Sequence, residues 1–351
     1  MNPIAIRLLS QQLICQQFAS PKEVVAHMGA IQAQDYRMVR WAVAMRMRRP
    51  SADAFRKAFD DGDIVRLHLL RGTWQLVAAE DYWWMLALCS AKAETTIRGW
   101  MRANRVFIDD SELHAIRDIL VSVCEAKGSA TKDDFAEALS ARSITMDSHR
   151  LTYHIRLAEL SGTLCSGMLS PMYATYALAE QKVGRTPLPE RDEMLCRLAR
   201  KYFQSHSPAT FDDWQWWSGL SAAECRRAID ALGAELHCER WHGYEFYMHT
   251  SCRTRGFRRG VSLLLPPFDE YLIGYKSRSL VLAPEHTHHA HTNNGIFFPI
   301  VAHDGVVCGN WQPWQKKLTT RLFVPMDCNQ LSVDRQWSAF CNTMSVPCCL
   351  K

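Results

Sequence analysis

The chain has 351 residues, of which 48% are apolar and 22% charged. That is the profile of a folded protein with room for two or three domains, not of a disordered one. A formal charge of +5 is too small to argue for a nucleic-acid partner by itself. No apolar run approaches the roughly 18 residues that a membrane span needs.

The 13 cysteines are odd in number and include no Cys-x-x-Cys pair. This pattern speaks against a disulfide framework and against a zinc site, and for reduced thiols in a cytoplasmic protein. The first ten residues lack the apolar core and cleavage site of a secretory signal.

In chain order, helices are expected over Ile4–Cys15 and Lys22–Met28, the second opened by Ser20-Pro21 and stopped by Gly29. Asp35 is placed to N-cap the next helical run, Tyr36 to Val43. The segment between, Ile31-Gln32-Ala33-Gln34, is therefore expected to be extended. In an extended chain residues two apart point the same way, so Gln32 and Gln34 would project side by side at a helix entrance. Arg37, Arg40, Arg46, Arg48 and Arg49 follow as a basic cluster, and Arg253, Arg255, Arg258 and Arg259 form another. Either alone reads as a solvated face, whereas two in one chain point toward phosphate contacts.

A strand pair is expected at Ile64–Leu70 and Gly72–Val77, then a long helix over Glu80–Arg102 with Trp83 and Trp84 in its core face. A unit then recurs. Thr131-Lys132-Asp133-Asp134-Phe135 and Thr210-Phe211-Asp212-Asp213-Trp214 each place a Thr N-cap before first-turn acids and a core aromatic. Each is followed by a second helix (Ser148–Leu160 and Ser221–Leu232) and by two short strands. The strands are 163–165 with 173–176, and 236–238 with 244–247, the latter turning at His242-Gly243. Helix, helix, helix, hairpin is the winged-helix plan, in which the third helix docks in a DNA groove and the hairpin touches the backbone. The N-terminal region is a looser third copy.

After Gly256 the texture becomes β, with strands expected at Val261–Leu265, Leu280–Leu282, Gly295–Val301 and Val306–Trp311, the last two joined by Asp304-Gly305. The fold class is thus α+β and mainly helical, with three tandem winged-helix motifs and a small C-terminal β-rich module. The modules are expected at 1–105, 106–185, 186–255 and 256–351.

Four ordered stretches carry a family resemblance: Gln32-Ala33-Gln34; His68-Leu69-Leu70-Arg71-Gly72-Thr73-Trp74; Trp216-Trp217-Ser218-Gly219-Leu220; and Leu265 through Arg278. Together with the closing hairpin from Gly295 to Val307, they resemble the AlkZ-like winged-helix DNA glycosylases of the Gln-hydrophobic-Gln branch, over roughly residues 4–318. Gln75 departs from that pattern, since His is expected after the Thr-Trp pair, and the tail beyond Leu318 has no counterpart.

The resemblance implies excision of alkylated purines, bulky adducts and interstrand crosslinks among them, from double-stranded DNA without a metal or organic cofactor. It assigns Gln32 and Gln34 to catalysis as residues that position water and sugar, with Asp35 as rival catalyst or plain N-cap. Contacts to DNA are expected from Arg37, Arg40, His68, Arg71, Arg150, Lys276 and Arg278. His68 reads equally as a satisfied core histidine. His286, His288, His289 and His291 read as a polar loop rather than a metal site. A chain with three docking units has little need to dimerise, so a monomer is expected. The rival readings are a non-catalytic winged-helix DNA-binding regulator and a protein-interaction scaffold.

Overall fold

The computed structural model describes residues 2–241, 243–314, 317–323, 325 and 330–344. His242 of the expected hairpin turn, and Cys348 and Cys349, lie outside them. The secondary structure is mainly helical with small antiparallel sheets, an α+β chain. Among the described residues no helix is long and apolar enough to cross a membrane.

The chain divides into two compact units, one made of Met1–Phe55 with Leu195–Lys351 and the other of Arg56–Met194. This division by packing does not coincide with the four sequential modules. The first unit is discontinuous because the N-terminal helices share a core with the C-terminal sheet. Leu8, Leu9, Leu13 and Trp41 pack with Leu263, Leu264, Leu265, Ile300, Val307, Trp311 and Phe340.

In that unit Asn2 caps helix Pro3–Ser10 by accepting from Ile4 and Ala5 N–H. Ser20 and Glu23 form a capping box at helix Pro21–Met28, with Pro21 in the first turn. Helices Arg191–His206, Phe211–Ser218 and Ala222–Leu232 follow, then the hairpin Leu236–Trp241 with Tyr244–His249.

The C-terminal sheet has four antiparallel strands in the order Lys317–Leu322, Val306–Trp314, Ile300–His303, Ser262–Leu265. Asp304 (φ 49°) and Gly305 (φ 85°) are both left-handed, the backbone of a two-residue turn matched to strand twist. Gly305 also has no room for a side chain, since a Cβ there would lie 2.3 Å from Ile4 and 2.8 Å from the Tyr271 hydroxyl.

Two expectations fail in this sheet. Leu280–Leu282 is a turn, closed by Val281 and Leu282 N–H to the Arg278 carbonyl at 3.0 and 2.9 Å, although Val281 is buried as a strand residue would be. Residues 295–299 stay outside the strand that begins at Ile300.

In the second unit, strands Ile64–His68 and Trp74–Ala78 pair antiparallel. Helix Ala79–Ala103 buries Tyr82, Met85, Leu86, Cys89, Ala93, Ile97 and Met101 at three- and four-residue spacing. Trp83 and Trp84 are both buried core residues. The repeated unit is laid out as helix Asp110–Lys127, strand Ala130–Thr131, helices Lys132–Ser140 and Ser148–Leu160, then strands Leu164–Ser166 and Thr175–Leu178. Gly162 (φ 73°) ends the third helix where a Cβ would meet Trp83 at 2.9 Å.

Candidate active site

The Gln-Ala-Gln segment emerges from helix Pro21–Met28 through Gly29, whose φ of 74° reverses the chain. Ile31 and Ala33 are fully buried and anchor the segment to the core. Ile31–Gln32 is a short strand, and the chain bends at Gln34 and Asp35. The two glutamines are not equally presented. Gln32 is only 4% exposed, whereas Gln34 is exposed. One carboxamide is sheltered by protein and the next stands in solvent.

Asp35 takes up capping. Its Oδ1 accepts Arg37 N–H at 3.0 Å and Met38 N–H at 2.9 Å. Its carbonyl accepts Val39 N–H at 3.1 Å, which leads into helix Val39–Ala44. The carboxylate thus satisfies orphan donors at a helix entrance.

Behind the segment lies a buried polar network. Glu270 is fully buried, and its Oε1 accepts the Gln32 backbone N–H at 2.7 Å. Its Oε2 receives Trp217 Nε1–H at 3.1 Å and lies 3.2 Å from His206 Nε2. The other ring nitrogen, His206 Nδ1, is 2.8 Å from the Ser205 hydroxyl. Burial holds the His206 ring below its usual pKa, against the pull of Glu270. A neutral ring that donates from Nε2 and accepts at Nδ1 satisfies both contacts.

Glu270 opens the one-turn helix Glu270–Ile273, whose N-cap is Asp269. Asp269 forms a bidentate pair with Arg46, with Nη1 to Oδ2 at 2.9 Å and Nη2 to Oδ1 at 2.8 Å. Arg46 also donates to the Ala42 carbonyl and to Gln11. Gln11 in turn reaches the Glu270 carbonyl and the Tyr275 hydroxyl. Arg46 is fully buried, which removes it from the expected phosphate contacts: its charge is committed to a buried carboxylate.

The expected DNA contacts have diverse settings. Arg37 is half-buried, and Arg40 is 6% exposed, its guanidinium 5.7 Å from the Tyr36 ring. His68 is 1% exposed and its Nδ1 bonds to the equally buried Glu159. Burial depresses its pKa, opposed by Glu159. His68 is therefore the satisfied core histidine and has no exposed atom to offer a phosphate.

Arg71 is half-buried on a left-handed residue (φ 56°) at the hairpin tip. Arg150 points two donors at Glu112 and a third at the Phe107 carbonyl, 2.6 Å away. Lys276 is exposed and its Nζ lies 2.9 Å from Asp212. Arg278 is half-buried, donates to the Leu272 carbonyl at 3.0 Å, and lies over Phe297 at 4.9 Å.

Gln32, Gln34, Arg37, Arg40, Lys276 and Arg278 belong to the first unit, and His68, Arg71 and Arg150 to the second. Gln75 is buried, with its amide 2.9 Å from the Thr73 hydroxyl.

The histidine-rich segment is a correction as well. It forms a helical turn at Pro284–His286 and a short helix Thr287–Ala290, not a loop. His289 stacks on Phe323 with ring centroids 4.9 Å apart. Among the described residues there is no cluster of three side chains suited to hold a metal ion.

Sequence reasoning missed Glu270, His206 and Trp217 as supports of the glutamine segment. The signal was present in Asp269-Glu270, two acids set between Pro266-Pro267-Phe268 and Tyr271-Leu272-Ile273. Acids in so apolar a run must be buried, and buried acids require partners.

The chain is 26% identical over 328 residues to the interstrand DNA cross-link repair glycosylase of Streptomyces sahachiroi, covering 87% of this chain and 85% of that protein. The solved structure of the Streptomyces sahachiroi DNA glycosylase AlkZ has the same fold, with a TM-score of 0.79 at 22% identity over 98% of this chain and 96% of that one. The model of the DNA glycosylase AlkZ-like family matches residues 25–331, and the chain belongs to that family.

Proposed function

We propose that the protein is a monofunctional DNA glycosylase that hydrolyses the N-glycosidic bond of purines alkylated at N7 or N3 in double-stranded DNA. Adducts that link the two strands are among its substrates, as the name of the Streptomyces relative suggests for that protein. The observation that carries this reading is a sheltered Gln32 beside an exposed Gln34, on a segment fixed by a buried carboxylate, in a chain of this family.

The chemistry suits amides. Alkylation at N7 or N3 makes the base cationic, so it departs as a neutral molecule and the glycosidic bond is already weak. The transition state resembles an oxocarbenium ion, as in other glycoside cleavages. Water adds its oxygen to C1′, the C1′–N bond breaks with its electron pair going to the base, and the water releases a proton to solvent. A carboxamide is too weak a base to take that proton. Its carbonyl and amino groups can still hold the water and aim it. No base of raised strength is needed for so labile a leaving group, which restricts the enzyme to damaged purines. Asp35 already serves as a helix cap, so the Gln pair carries the water. The winged-helix units hold the duplex, with Arg37, Arg71, Arg150, Lys276 and Arg278 as phosphate contacts; Arg40, buried like Arg46 and His68, leaves that group.

The test is release of 7-methylguanine from methylated duplex under single turnover. Gln32→Ala/Gln34→Ala is expected to lower the rate by about a hundredfold or more, the scale of lost positioning, with duplex binding kept. Full activity of the double variant would remove the two amides from the mechanism. Salt-sensitive duplex binding with no base release would make the protein a non-catalytic DNA-binding regulator.

A further inference from the structure

We propose that Glu270 is a positioning residue for the glutamine pair: its buried carboxylate fixes the Gln32 peptide, and through it the direction in which Gln32 and Gln34 present their amides. The inference rests on the glycosylase reading and extends it to a residue that meets no substrate.

A carboxylate removed from water is retained only where donors surround it. Holding the chain together at this point does not require a charge, since an apolar side chain of similar volume would pack with less penalty. Glu270 is fully buried, and its donors come from separate elements. The Gln32 backbone lies in the strand Ile31–Gln32, Trp217 in helix Phe211–Ser218, and His206 in helix Arg191–His206. The N–H on Oε1 is the shortest of these bonds, at 2.7 Å, and it belongs to the peptide that carries the sheltered glutamine.

The backbone that carries the carboxylate is held in place. Glu270 starts a helix capped by Asp269, and Asp269 is clamped by Arg46. The wall is also tight, because a Cβ on Gly274 would lie 2.6 Å from the Glu270 carbonyl and 2.7 Å from the His206 ring. A bound water has no tolerance for a swinging partner, and misplacement by about 1 Å costs roughly a hundredfold in rate.

Glu270→Gln separates charge and acceptor count from size. A carboxamide has one oxygen and one amino group in place of two oxygens. If the oxygen stays on the Gln32 N–H, the amino group faces the Trp217 indole N–H; in the flipped orientation it faces the Gln32 N–H. Either way two donors oppose each other.

The test is a rate cycle on the full chain with 7-methylguanine duplex as probe. Glu270→Gln is expected to reduce the single-turnover rate at saturating enzyme by about thirty- to a hundredfold. Its duplex Kd should stay within about twofold, since the residue touches no DNA. In the Gln32→Ala/Gln34→Ala background the same change should cost less than about twofold, because the residues act as one unit. Amide exchange at Gln32 should speed up in Glu270→Gln.

A wild-type rate in Glu270→Gln, or an equal further loss in the Gln-free background, would overturn the inference while leaving the glycosylase reading intact. Absence of base release by the wild type would overturn both. Should Glu270→Gln fail to fold, Glu270→Asp, which keeps the charge and both oxygens but draws them one methylene back from the Gln32 N–H, enters the same cycle with the same criteria.

Discussion

At the level of single residues, burial sorts side chains that look alike in the sequence. Arg46, Arg48 and Arg49 stand in one basic run, yet Arg46 is buried against Asp269 while Arg48 and Arg49 are exposed. His27 shows how burial writes itself into stability. Its Nε2 lies 2.7 Å from the Ser10 carbonyl. Burial, helped by the positive charge of Lys201 and Arg46, lowers its pKa to about 4 from the usual 6.5. Above pH 6.5 the ring is neutral in both folded and unfolded chains. Between pH 6.5 and 4 the unfolded chain takes up a proton that the fold refuses, so stability is lost as pH falls, by up to roughly 3 kcal/mol. His68, His154 and His206 are lowered by burial too, so the expected readout is a difference. Urea denaturation at pH 7 and at pH 5 should show a smaller pH effect in His27→Gln than in the wild type. Equal slopes in the two proteins would mean that the ring is hydrated in the fold.

At the level of elements, short-range rules were legible and long-range ones were not. The Thr131 and Thr210 capping boxes form as the Thr-x-x-Asp spacing implies, with Thr210 Oγ1 accepting Asp213 N–H at 3.1 Å and Asp213 Oδ2 accepting Thr210 N–H at 3.0 Å. The sequence could not show that Asp213 has a second duty. Its Oδ1 accepts the N–H groups of Lys276 at 2.9 Å and Ser277 at 3.1 Å. Thr210→Ala is therefore expected to cost about 1 kcal/mol, the value of an N-cap, and Asp213→Ala about 2 kcal/mol, because the cap and the acceptor of two further backbone N–H groups are lost together. Equal losses in denaturant titrations would reduce Asp213 to a cap. Leu280–Leu282 misled for a related reason: three apolar residues bury equally well in a turn, and three residues are too few to show a period. The paired glutamines were legible as a motif, while their unequal exposure was not, because shelter for Gln32 comes from residues far along the chain.

At the level of the whole molecule, the family match spans residues 25–331 and the fold match nearly the entire chain. Duplex binding should weaken linearly in a log–log plot against salt, and each lost phosphate contact should lower the slope by about 0.9. Lys276→Ala and Arg278→Ala are each expected to lower it by about that amount. Arg46→Ala is expected to leave the slope unchanged in whatever fraction folds, since its charge faces Asp269. An unchanged slope in Lys276→Ala would mean that its ammonium serves Asp212 alone.

The discontinuity of the first unit has a consequence for synthesis. On the ribosome, residues 1–55 emerge long before the strands that complete their core, and Arg46 waits for Asp269, 223 positions away. Residues 56–194 can collapse on their own in the interval. A nascent chain halted before the C-terminal sheet would lack Glu270, so the Gln32 peptide stays without the carboxylate that accepts its N–H until 238 further residues have been joined.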